Sequence, residues 1–194
     1  RITTREMLNN WTISFMGNFV GSLTMVCWMY KTHQFDFFHQ MVGAKALLIA
    51  NTKVTLTFKT ALARGVLCNA MVCLAVWLCF SGRTAADKIL SIVFPIGGFV
   101  ASGFEHCVAN MYFIPMGILL RKNPEVVAAA EKMAGKALDF SQLTWRGFFI
   151  NNLFPVTLGN IVGGVILVGI MFWFVYLRPH ISFSLNVKQD FFNK

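Results

Sequence analysis

Charge is what this sequence has least of. Charged residues make up 13% of the 194, only 8 are acidic, and 56% are hydrophobic. A soluble domain carries about a quarter charged residues. One of this length could not hide so much apolar surface beneath so little charge. Chemical motifs are scarce too. The cysteines, Cys27, Cys68, Cys73, Cys79 and Cys107, form no C-x-x-C pair, which excludes zinc and dithiol redox motifs. The histidines, His33, His39, His106 and His180, form no H-x-x-x-H or E-x-x-H pattern, so no metal is expected. No Gly-rich phosphate loop and no nucleophile motif occurs, so neither an enzyme nor a resident cofactor is expected. The chain starts at Arg1 without a signal-peptide pattern, and a segment upstream of it is expected.

What is there is a set of long apolar runs, the pattern of a polytopic membrane protein. The 17 basic residues leave a net charge of +9, but they are scattered between the runs. Basic residues near membrane ends meet anionic lipid or set topology. A nucleic-acid partner would need a basic face on a soluble fold, and none is expected. The runs predict spans over about 9–30, 53–80, 89–120 and 147–177. They form one transmembrane domain, 1–180, with a tail at 181–194. In this reading 31–52 is a mixed connection, Lys53 opens the second span, and Pro124 and Glu125 start a short interfacial helix. Counted by side, seven basic residues face seven, which gives no vote on orientation.

The run 89–120 carries the most information. It has no Lys or Arg, one Glu and one His. As a single helix it would measure about 48 Å, too long for one crossing. Two full spans with a loop would need more residues. It also holds Pro95, Gly97, Gly98, Gly103 and Pro115. The expectation is a span broken near Gly103 into two half-helices, with protein or a watery cavity covering the exposed backbone.

The first and last spans repeat each other. Asn9 and Asn10 align with Asn151 and Asn152, Gly17 and Asn18 with Gly159 and Asn160, and Val20 and Gly21 with Val162 and Gly163. Both carry G-x-x-x-G, a spacing that lets helices approach closely. Three spans separate the aligned starts. An odd period inverts a repeat, so the whole would have six spans and two broken helices.

Glu105 and His106 sit in the broken run. A charge in hydrocarbon is costly and needs a cavity or a partner. His106 titrates near neutral pH when unperturbed, and its neutral ring can donate one hydrogen bond and accept another. It is the candidate to hold an anion or exchange a proton with it. Glu105 is a candidate to orient a cation such as Lys53, itself a candidate anion attractor. Asn69 either lines a lumen or bonds another helix, and Phe99 is a candidate hydrophobic constriction. Gly103, Asn110, Asn18 and Asn160 are candidate supports. The plainer reading, in which Glu105 and His106 only pin the break, stays open on these grounds alone.

The stretch Phe99-Val100-Ala101-Ser102-Gly103-Phe104-Glu105-His106, followed by Val108-Ala109-Asn110-Met111, resembles the signature of the formate/nitrite transporter family. Cys68-Asn69 through Val76-Trp77, and Pro155-Val156-Thr157-Leu158-Gly159-Asn160, resemble further family segments. The resemblance implies an all-α integral membrane protein with an aquaporin-like six-helix inverted repeat. This chain would hold roughly the last four spans. It implies a homopentamer in the cell (inner) membrane, surrounded by lipid, with one pore per subunit. The pore would pass small monovalent anions (formate, nitrite or hydrosulfide), with protons as partners. His106 matches the family's central pore histidine, Phe99 a constriction phenylalanine, and Lys53, Asn69 and Glu105 residues beside the pore. The family's threonine-bearing loop would lie upstream of Arg1. A neutral-solute channel of aquaporin type is the alternative.

Overall fold

The computed structural model describes residues 2–177, and within them the regular structure is entirely helical. The tail at 181–194 and the last residues of the expected domain lie outside the described residues. Helix α1 (Thr4–Lys31) starts at a capping box, in which Thr3 accepts from the Glu6 N–H and Glu6 reaches back to Thr3. At about 1.5 Å per residue it is long enough to cross a bilayer. A 3-10 turn at Gln34–Asp36 leads into α2 (Met41–Val54). Residues 55–57 interrupt the chain before α3 (Phe58–Cys79), capped by Thr57. After Thr84 caps it, α4 (Ala85–Ala101) runs to the break, and α5 (Cys107–Leu120) continues beyond it. The short α6 (Pro124–Ala134) has Asn123 as its cap and Pro124 in its first turn. The last helix, α7 (Gly147–Leu177), contains wide π-type turns at Gly147–Leu153, Val162–Gly169 and Trp173–Leu177. By length and composition α1, α3 and α7 can each cross a membrane.

The break falls where the arithmetic places it. Residues 102–106 leave the helix, and Gly103 has φ +65°, a left-handed conformation that favours a residue without Cβ. One expectation needs correction. Lys53 closes α2 rather than opening the second span, and much of the supposed connection 31–52 is helix. The reason is packing. Gly43, Ala44, Leu47, Ala50 and Val54 are buried on α2, chiefly against α5, where Gly117 touches Ala50. Small residues at that contact give α2 a buried face without a long apolar run.

Lipid tails are as apolar as leucine, so helices in a membrane associate through close packing and hydrogen bonds. The α3–α7 contact shows this. A Cβ on Gly159 would collide with the Leu62 carbonyl, and one on Gly163 with the Val66 carbonyl. Among the described residues nothing lies within 4 Å of such a Cβ at the corresponding Gly17 and Gly21 of α1.

The buried core sits between α2, α5, α6 and the start of α7, with Leu47, Met111, Ile114, Val126 and Phe148 enclosed. By contrast α4 has no buried residue, and Phe94 on it is 75% exposed.

Candidate functional site

The break creates two helix ends inside the apolar zone. His106 is the N-cap of α5, with extended backbone (φ −114°, ψ 121°). Its Nδ1 accepts the Ala109 N–H at 3.4 Å. With Nδ1 acting as acceptor, a neutral ring carries its proton on Nε2. The ring thus presents an N–H away from the helix, beside the positive end of the α5 dipole. Phe99, near the end of α4, lies close to it, with ring centroids 6.2 Å apart and planes 29° apart. The sequence spacing of seven brings these rings together through the break, not along one continuous helix.

Glu105 points the other way and is 2% exposed. Its Oε1 accepts from Lys53 Nζ at 2.9 Å. Its Oε2 accepts from Asn110 Nδ2 at 2.7 Å and Asn152 Nδ2 at 3.1 Å. Both oxygens are thereby satisfied, as a buried carboxylate requires. Lys53 is 13% exposed at its side chain, and Nζ also lies 5.7 Å from the centre of the Phe113 ring. An ammonium has three N–H donors, and among the described residues Glu105 accepts one of them.

Asn160 pins the break from α7. Its Nδ2 donates to the Glu105 carbonyl at 3.0 Å and the Gly65 carbonyl at 2.9 Å, while its Oδ1 accepts the Cys107 N–H at 2.9 Å. The Glu105 N–H in turn donates to the Arg64 carbonyl at 3.4 Å. Non-helical backbone here is satisfied by protein, the condition that membrane depth imposes. Asn69 bonds another helix, its Nδ2 donating to the Asn160 carbonyl at 2.6 Å. It also lines a cavity of about 750 Å³ with Cys73, Cys107 and Asn160.

Six of the candidate residues therefore converge on the break: Lys53, Asn69, Phe99, Glu105, His106 and Asn110. Gly103 forms it and Asn160 holds it. Asn18 does not join this network, because α1 leaves it exposed, facing the same cavity as Asn69 and Asn160. One residue escaped sequence reasoning. Asn152 is fully buried and bonds Glu105, Asn110 and the Lys53 carbonyl. Its only signal was the Asn-Asn pair in the repeat, which says nothing about what it faces. Among the described residues no group of three or more His, Cys, Asp or Glu could hold a metal.

Comparison with known proteins adds to this geometry. A profile of the family described as formate/nitrite transporter matches residues 1–174. The formate channel FocA of Escherichia coli (strain K12) is 44% identical over 182 residues, covering 93% of this chain and 63% of the channel. A probable formate transporter of Methanothermobacter thermautotrophicus is 37% identical over 191 residues, covering 92% of this chain and 62% of that protein. The chain thus spans about three fifths of the length of these relatives. A solved pentameric formate channel with formate bound superposes with a TM-score of 0.80 at 41% identity, covering 92% of this chain and 69% of that one. A solved ion channel of the same family gives a TM-score of 0.66 at 28% identity, covering 90% and 61%.

Proposed function

This chain belongs to the formate/nitrite transporter family, and on that premise we propose that it conducts small monovalent anions across a membrane, formate first among them. Nitrite and hydrosulfide are of the same chemical class. Lys53 draws the anion inward, and the apolar surroundings of Phe99 disfavour a bare charge. His106 then donates to the anion through Nε2–H, or, once a proton taken up from the aqueous side has made the ring imidazolium, gives that proton to the anion and returns to the neutral ring, so that the anion crosses as the neutral acid. The observation that carries this reading is the occurrence at one break of an imidazole whose Nε2–H has no hydrogen-bond partner among the described residues and a carboxylate-tethered cation. Glu105 orients Lys53 and is itself enclosed by Asn110 and Asn152, which keeps its negative charge away from an entering anion.

The wider reading follows the same relatives. We place the protein in the cell (inner) membrane as a homopentamer with an aquaporin-like inverted repeat, each subunit holding its own pore. Known relatives in the family are named as channels and transporters, not enzymes.

The test is formate flux into proteoliposomes across pH, for the parent and His106→Phe. Flux that rises as pH falls in the parent and loses that dependence in the variant is expected. Unchanged pH dependence in the variant would remove the proton role from His106. Glycerol flux without any formate flux would replace the anion reading with a neutral-solute channel.

A further inference from the structure

We propose that Asn152 is the positioning residue that sets the reach of Lys53 toward the anion, an inference that rests on the anion reading above. Asn152 sits on the first turns of α7, whose wide π-type geometry spans Gly147–Leu153. Its one amide touches both halves of the ion pair. Nδ2 donates to the Lys53 carbonyl at 2.9 Å and to Glu105 Oε2 at 3.1 Å. Its Oδ1 accepts from Asn110 Nδ2 at 2.7 Å, and that same nitrogen donates to Glu105 Oε2 at 2.7 Å. Asn152, Asn110 and Glu105 thus close a ring of hydrogen bonds on one carboxylate oxygen.

The consequence is geometric. Lys53 lies in the last turn of α2, where helix carbonyls run out of intrahelical partners. Asn152 takes up that carbonyl and so fixes where the Lys53 side chain starts. Through Oε2 it also fixes where Glu105 Oε1, the tether of Nζ, is held. Both ends of the lysine are referenced to one side chain of a third helix. With that reference lost, Glu105 keeps only Asn110 on Oε2 and the Lys53 carbonyl loses this donor. Nζ then follows the displaced carboxylate or swings free, and either displaces it from the anion path. The neighbouring Asn151 is only half-buried and makes one long bond, 3.4 Å, to Gln142, so it serves as an internal control.

The experiment uses the full-length protein in proteoliposomes, measuring the formate concentration that gives half-maximal flux. Asn152→Leu should raise it about tenfold, the worth of one hydrogen bond to a charged group, while Asn151→Leu leaves it unchanged. In a Lys53→Met background, Asn152→Leu should add nothing, because the residue acts through the lysine. Asn152→Ser, smaller and retaining one donor, should fall between the two and serves if the leucine variant does not fold. Effects of Asn152 and Lys53 that multiply, or an unchanged half-maximal concentration, would overturn the inference. A second measurement does not need flux. The infrared carboxylate band assigned to Glu105 by its loss in Glu105→Gln should shift in Asn152→Leu and stay in place in Asn151→Leu. An unshifted band overturns the inference. A shifted band in a protein that carries no formate would instead keep Asn152 as organiser of Glu105 and defeat the anion reading.

Discussion

Lys53 and Glu105 form an ion pair enclosed by protein, and such a pair is poor evidence of stability in itself. Its energetic meaning appears when one member is removed. Lys53→Met leaves a carboxylate that has lost its cation, and Glu105→Gln leaves an ammonium without its anion. Each single change is expected to cost about 3–5 kcal/mol. The double variant should cost clearly less than the sum, read as thermal midpoints of the detergent-solubilised protein. Additive losses would mean that the two groups are not coupled at 2.9 Å as the structure has them. Asn160 gives a second prediction. It serves two carbonyls and one N–H at the break, and each buried group left unsatisfied costs about 1–3 kcal/mol. Asn160→Leu should therefore lower the thermal midpoint strongly, whereas Asn151→Leu, at a half-buried position with one long bond, should change it little.

At the scale of helices, glycines divide by what lies opposite them. Gly163 faces the backbone of Val66, which cannot rotate away as a side chain can. Gly163→Ala must push α3 and α7 apart, and overpacking of this kind costs about 1–3 kcal/mol. Among the described residues nothing lies within 4 Å of a Cβ on Gly97 of α4, and Gly97→Ala should be neutral or slightly stabilising through helix propensity, worth up to about 1 kcal/mol. Heat stability of both variants checks the contrast. The same elements show what a sequence discloses. The break was legible because 89–120 is too long for one span and holds Gly103, and both facts follow from chain length and backbone sterics. The helix α2 was not legible. It is short, carries Lys45, Asn51 and Lys53, and becomes buried through contact with other elements, chiefly α5. Site chemistry divides in the same way. His106, Glu105 and Lys53 stand out as titratable groups beside apolar runs. Asn152 does not, because an uncharged amide gains meaning only from the carboxylate across the gap, brought there from 47 residues away in the chain.

For the molecule as a whole, the membrane sets the cost of each exposed position by its depth. Phe94 and Phe80 are almost equally exposed, at 75% and 72%. In water the two would tolerate an arginine alike. Here they should not. Phe94 lies well inside α4, in the apolar run that leads to the break, with Val93 and Ile92 exposed beside it. Phe80 ends α3, next to Ser81, Gly82 and Arg83, where the chain turns toward polar surroundings. An arginine near the centre of a spanning helix costs about 2.5–3.5 kcal/mol on insertion scales, and near an interface its side chain can snorkel to the headgroups. Phe94→Arg should therefore reduce the fraction of protein that resists an alkaline carbonate wash of the membranes, while Phe80→Arg keeps that fraction at the parent level. Equal retention of both would place α4 outside the hydrocarbon, and with it the break would lose the dry surroundings on which the action proposed for His106 depends.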